Sequence, residues 1–375
     1  MNKFFKWFNY LIQKQYTSIG GQAVIEGVMM RSPNSFVVAV RKADGSIRLR
    51  RDQWFGLSKK FDIFKKPFLR GVLMLIETMA NGIVSLNYSA NIAMGEEEKQ
   101  KALKKGETLE QFEEKRKKTE KVDFATFLTM LVSFGLGLVL FVFVPHGLTA
   151  WIGHLLGESW TLDSFAFHAV DGIIKAHIFI LYIWLIGFMP DVKRVFQYHG
   201  AEHKSIATFE AGLPLTVENA RKFTTLHPRC GTSFVFFLIF ISIILFSVVF
   251  TLIPIGQNLP PILRHLAAIV FKIALMLPIA GMSYELIKIS GKCSTTWWSK
   301  MISFPGMMLQ KLTTKEPDDK QLEVALASIK AVLFLEEKFN LKTAQTKILK
   351  LEEVDIQSLD EIENSIGALH DFLEA

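Results

Sequence analysis

Cysteine is almost absent from this 375-residue chain: Cys230 and Cys293 stand far apart and outside any C-x-x-C pair. That excludes a disulfide framework and a zinc finger or ribbon built on cysteines. No RNA- or DNA-binding motif is present, so no nucleic-acid partner is expected. The N-terminus lacks a cleavable leader, because Met1 to Gln15 is amphipathic and aromatic, with no apolar core region and no small-residue cleavage site. Basic residues are missing from particular stretches. Residues 146–171 hold no Lys or Arg, whereas 96–121 hold nine and 191–232 hold six.

What is present is apolar. Half of the chain is hydrophobic, Phe alone contributes 32 residues, and mean hydropathy is +0.27, well above a soluble norm. Four stretches read as membrane spans: Phe124 to Pro145, Gly172 to Pro190, Thr232 to about Pro254, and His265 to Ile289. The clustering of Lys and Arg places both termini and the 191–232 loop in the cytoplasm. Arg70 to Ala93 is long enough to cross but is interrupted by Glu77, Asn81, Asn87 and Asn91, so an interfacial or re-entrant helix is expected. The expected fold is mainly α: a polytopic membrane protein with about four transmembrane helices, a small N-terminal β-hairpin and a cytoplasmic helical face.

In order, the chain divides into an amphipathic segment (1–17), a cytoplasmic hairpin and interfacial helix (18–95), a charged linker (96–123), the four-helix domain (124–290), a C-terminal helical segment (291–335) and an acidic tail (336–375). The hairpin is read from Ser35–Val40, the turn Ala43-Asp44-Gly45-Ser46 and Ile47–Arg51. The glycine-rich run Gly20 to Arg31 suggests backbone pressed close to a neighbour. Residues 351–375 carry eight acids and no Lys or Arg, the composition of a disordered tail with one short helix.

The chemistry concentrates in His199-Gly200-Ala201-Glu202-His203, an H-x-x-E-H spacing found in zinc enzymes. On a helix, with His199 at zero, Glu202 falls at about −60°, His203 at about +40° and Glu210 at about +20°. Two imidazoles and two carboxylates therefore share one stripe. The plain alternative is a polar helix face bonded to its neighbours. The turn His227-Pro228-Arg229-Cys230 adds an imidazole and a thiol, the latter either a soft-metal ligand or a small core residue. Glu285, near the cytoplasmic end of the last span, is a further ligand candidate. Glu26 and Glu77 are candidates to approach the His loop from the N-terminal segment.

Taken together, Gly20 to Arg31, Tyr198 to Lys204, His227 to Phe234, Leu215 to Asn219, Ser283 to Leu286 and Leu312 to Asp319 make the chain resemble the YqhQ family of bacterial polytopic membrane proteins. The resemblance covers roughly residues 18–335 and implies a metal-dependent enzyme without a defined substrate.

Two readings follow. In the first, the chain is a membrane-embedded hydrolase. His199 and His203 bind Zn²⁺ or another divalent metal, with Glu210, His227 or Glu285 as third ligand. Glu202 acts as general base, and Arg229 or Lys204 steadies an oxyanion or an anionic substrate. The substrate would be a lipid, a lipid-linked precursor or a membrane peptide. In the second, the same groups form a structural network in a non-catalytic scaffold or assembly factor.

Overall fold

The computed structural model describes residues 19–33, 35–53, 66–104, 124–157, 160–228, 230–292, 297–341 and 352–362. The amphipathic segment 1–17, most of the charged linker, Arg229 and Cys293 lie outside them.

The N-terminal region is a larger sheet than the hairpin expected from sequence. Strands β1 (Gly20–Val24), β2 (Gly27–Arg31), β3 (Ser35–Arg41) and β4 (Ile47–Gln53) form an antiparallel meander. The β3–β4 hairpin turns through Gly45 at φ +89°, as the Asp-Gly signal demands. The β1–β2 hairpin turns at Ile25-Glu26 and carries no such signal, which is why it was not legible. Glu26 itself sits at φ +52°, a conformation that costs a non-glycine residue about 1–2 kcal/mol.

Helices follow. They are α1 (Leu69–Lys104), α2 (Phe124–Leu138), a π turn (Val139–Phe143), α3 (Val144–Leu155), α4 (Phe165–Ile186), α5 (Pro190–Glu210), α6 (Val217–Arg221), α7 (Gly231–Leu252), α8 (Pro261–Lys292), α9 (Trp297–Thr313) and α10 (Asp319–Leu341). Five segments among the described residues are long and apolar enough to cross a membrane: Leu69–Ala93, Leu131–Leu155, Phe165–Ile186, Gly231–Leu252 and Pro261–Lys288. The first expected span does not stop at Pro145. The π turn widens the helix just before the proline, Pro145 occupies a first-turn position of α3, and the helix runs on to Leu155, as a bulge of this kind permits.

Two cores organise the sheet. On one face, Val28, Met30, Val37, Ala39, Ile47 and Leu49 pack on α10, whose Leu322, Val324, Leu326, Ile329 and Val332 are almost completely buried. On the other, Val24, Met29, Phe36, Val38 and Val40 meet Tyr88 and Ile92 of α1. Burial on both faces explains why the strands read as apolar runs with only weak alternation. A third core joins the apolar helices through Leu162, Phe167, Phe246, Phe250, Ala268 and Ile279.

Over residues 352–362, the part of the acidic tail described beyond α10, the expectation of disorder needs correction. Glu352–Ile356 forms strand β5, antiparallel to β4, and Ile356 and Ile362 enter the core. The sequence reason is electrostatic: β4 carries Arg48, Arg50 and Arg51, and Asp355, Glu353 and Glu352 stand opposite them across the ladder. Arg48 donates to both carboxylate oxygens of Asp355 (2.8 Å each), and Lys42 adds a third bond at 3.3 Å.

Those bonds, Arg48 first, hold the Asp355 carboxyl below its ordinary 3.8. A carboxyl lowered on folding contributes stability that is complete above its unfolded value and fades as pH falls through the folded one. The attachment of β5 should therefore weaken below about pH 4. Hydrogen exchange of the 352–356 amides, corrected for intrinsic rates, should accelerate in acid relative to neutral pH. In Asp355→Asn it should be fast at both; equal protection in both proteins at both pH values would refute this account.

Candidate functional site

Helix α5 starts at Pro190, with Asp191 in its first turn, and stops at Ala211, followed by Gly212 at φ +68°, a normal glycine stop. Its middle, Tyr198 to Ile206, is buried except for His199, which is half-buried. Such burial requires close neighbours, and Gly200 allows one. A Cβ there would lie 2.2 Å from the Lys315 carbonyl oxygen, so only glycine lets the α9–α10 connector pass. Lys315 N–H in turn donates to the Phe196 carbonyl at 2.9 Å.

The two motif histidines are oriented by backbone. His199 Nδ1 lies 2.9 Å from the Thr313 carbonyl oxygen, and His203 Nδ1 lies 2.5 Å from that of Thr225. A carbonyl only accepts, so Nδ1 carries the proton in both rings and each Nε2 presents a lone pair. His199 Nε2 faces Cys230 Sγ at 3.1 Å. His203 Nε2 is buried and has no hydrogen-bond partner. The two rings pack at 4.4 Å. One ligand atom from each of His199, His203 and Cys230 lies within 4.8 Å of the others.

Cys230 caps the N-terminus of α7, and its sulfur accepts from Thr232 N–H (3.4 Å) and Oγ1 (3.2 Å). Burial presses the His203 imidazole below its usual range, with Cys230 opposing that shift.

Glu202 faces β1. Its carboxyl accepts the Gly21 backbone N–H, and a Cβ on Gly21 would lie 2.9 Å from Glu202 Cδ. This is the close approach that the N-terminal glycine pair foreshadowed. Burial raises the Glu202 carboxyl above its ordinary value, with His199 and His227 pulling the other way.

The remaining candidates are distributed. His227 is held by Gln310, which accepts from its N–H (2.8 Å) and donates to its carbonyl (2.7 Å), and its Nε2 lies 3.3 Å from Glu210 Oε2. Its ring packs 5.7 Å from that of His203, so His227 and Glu210 border the group. Glu285 is not near it: Arg70 Nε donates to Glu285 Oε1 at 2.6 Å. Glu26 pairs with Arg194 and accepts from the Tyr198 hydroxyl, holding the β1–β2 turn on α5. Lys204 pairs with Glu316. Glu77 is buried on α1, where its charge acts on Arg31. Sequence reasoning missed Thr225, Gln310 and Thr313, because two of them act through backbone carbonyls, which leave no residue-type signal.

The family described as "Protein of unknown function (DUF1385)" matches residues 66–334. The Bacillus subtilis (strain 168) "Uncharacterized protein YqhQ" is 37% identical over 322 residues, covering 84% of this chain and 92% of that protein. No solved structure matches the chain.

Gly200→Ala should lower Tm in detergent by the equivalent of roughly 1–3 kcal/mol, the usual cost of overpacking. Gly147→Ala is the control, since a Cβ there meets nothing within 4 Å. An unchanged Tm for Gly200→Ala would mean that the connector does not pass so close to α5.

Proposed function

The chain belongs to the DUF1385 family, and from that premise we propose that it is a membrane-embedded, metal-dependent hydrolase with His199, His203 and Cys230 as ligands. The observation that carries this reading is His203 Nε2, a buried lone pair with no hydrogen bond of good geometry, beside the His199 nitrogen and the Cys230 sulfur, which face each other at 3.1 Å. Leaving a buried polar atom unsatisfied costs about 1–3 kcal/mol. Imidazoles whose other nitrogen is fixed by a carbonyl are the usual second-shell arrangement of metal ligands. Two imidazoles and one thiolate leave a fourth zinc position open. Cys230 therefore replaces Glu285 in the proposed ligand set, and Glu210 with His227 supports the group from its edge.

When bound, a zinc or similar divalent ion would supply a Lewis acid and an acidified water. Glu202 is the proton carrier of this proposal. Its carboxyl is shielded from water and raised by burial, which suits a group that takes up and returns a proton. Lys204, paired with Glu316 of the α9–α10 connector, is the proposed holder of an anionic substrate group.

We further propose four spans, with this site at the cytoplasmic membrane surface and both termini cytoplasmic. Helix α1 meets elements of the site's end of the bundle along its whole length. Phe68 packs at Gly281 of α8, Gly82 meets Gln22 of β1, and Ser89 Oγ accepts the Ile25 N–H at 3.1 Å. A crossing helix of 25 residues would carry one end nearly 40 Å away, at about 1.5 Å per residue. This supports α1 lying along that face. A site there fits a lipid, a lipid-linked precursor or a membrane peptide as substrate.

Elemental analysis of untagged protein, purified without chelator, tests the metal. About one zinc, or another divalent metal, per chain is expected for the wild type, with loss in His199→Ala/His203→Ala and in Cys230→Ala. Metal-free wild type would overturn the proposal and favour the scaffold reading. Metal retained in Cys230→Ala but lost in the double variant would return the third ligand to His227 or Glu210.

A further inference from the structure

A second set of ionisable groups lies inside the helix bundle, at the end away from the His–Cys group. At the rim, Arg264 donates to Asp163 at 2.5 Å. Inward, His146 Nε2 on α3 and His265 Nδ1 on α8 lie 2.7 Å apart, both rings half-buried. Deeper, Lys272 of α8 donates to Asp171 Oδ2 of α4 at 2.8 Å, and Lys175 lies 3.7 Å from the same oxygen. Helix α7 faces this pair with aromatic rings only: Lys272 Nζ lies 5.6 Å from the Phe246 ring and 5.8 Å from that of Phe250. Lys272 is 11 residues inside the start of α8, or roughly 16 Å deep.

Three acceptors of this set lack a donor: Asp163 Oδ1 at the rim and two atoms deeper in the bundle. His168 Nε2 bonds the Leu162 carbonyl at 2.7 Å, so its Nδ1 presents a lone pair, and that atom is buried without a partner. Asp171 Oδ1 is likewise buried and unpartnered. His168 and Asp171, both 1% exposed, stand three residues apart on one helix face. Two buried acceptors on one face call for a group that brings a proton. Ionisable residues placed in an apolar bundle are costly and mark proton or ion paths.

We propose that His265 and His146 relay a proton from the bundle rim to Asp171, and that its arrival there releases the Asp171–Lys272 tie between α4 and α8. Hydronium at the rim protonates His265 Nε2 and becomes water. His265 gives up its Nδ1 proton to His146 Nε2, and His146 gives up its own Nδ1 proton, through water, to Asp171 Oδ1. One O–H bond breaks at hydronium and one forms at Asp171, and the two N–H bonds made on the way are matched by two broken. The carboxylate becomes a neutral acid, and its attraction for Lys272 and Lys175 ends. The charged and titratable groups that act on His146 are Lys272, Asp171, His265 and His168, and those acting on Asp171 include Lys175, Lys272 and His146. This proposal is independent of metal at the other site.

The test is infrared difference spectroscopy of the full-length protein in micelles after an acid pH jump, with ¹³C-carboxyl aspartate labelling to identify the band. We expect an aspartic-acid C=O band in wild type that is missing in Asp171→Asn. In Lys272→Met its midpoint should rise by about 1–3 pH units, because a favourable cation is gone. In His265→Gln the midpoint should stay while the band rises at least roughly ten-fold more slowly, as loss of a proton carrier requires; a merely structural histidine would not change that rate. Where Asp171→Asn fails to fold, the Lys272→Met shift assigns the band. No such band in wild type, or the same rise rate in His265→Gln, would overturn the relay.

Discussion

Everything at the His–Cys end depends on the burial of α10. This helix has almost no exposed face over Leu322 to Val332. It lies between the sheet and α5, and it brings together residues some 300 positions apart in sequence, as in the Ser328 hydroxyl that donates to the Val37 carbonyl at 3.1 Å. Each buried Leu, Val or Ile of α10 contributes roughly 1.5–3 kcal/mol. That gain fixes where α5 must lie, since α5 packs against α10 on one side and β1 on the other. Glycines then set the closeness. Gly200 admits the Lys315 carbonyl, and Gly21 admits the Glu202 carboxyl.

Once α5 is fixed, the imidazoles have little freedom. The Thr313 and Thr225 carbonyls select one tautomer for each ring and aim both Nε2 lone pairs inward. A purely structural network would be expected to give each nitrogen its own partner. Here the network is complete around the group, through Gln310, Thr232 and the two carbonyls, and incomplete at its centre. The open nitrogen of His203 is the ground on which the proposed metal reading stands.

Much of this was legible in the sequence, where local signals were strong. The β3–β4 turn and the long apolar helices of the bundle followed from residue types alone. What was not legible depended on distant partners. The β1–β2 hairpin turns on Glu26 in a conformation held by Arg194 and Tyr198, and β5 looks like a solvated acidic tail until β4 presents Arg48 to it. In the site, the H-x-x-E-H spacing identified α5 correctly as the carrier of the imidazoles. It could not rank Glu210, His227, Glu285 and Cys230, because the position of each relative to the imidazoles depends on packing between elements far apart in sequence.

The two polar clusters also constrain each other through what lies between them. From Lys272 to the end of the apolar stretch of α8 at Lys288 is about 24 Å of helix, and that layer holds Ile279 and Phe237 in its interior. The buried hydroxyls of Ser242, Ser247 and Ser283 bond carbonyls of their own helices, those of Ile239, Ile243 and Ile279, and so offer no continuous chain for protons. A proton can therefore enter half of the bundle without crossing it. Its effect must be mechanical: neutralising Asp171 removes a tie between α4 and α8, and α4 leads within four residues into α5. A change in how α4 packs is thus delivered at the start of the helix that holds both site histidines, which makes α4 the physical link between the two clusters.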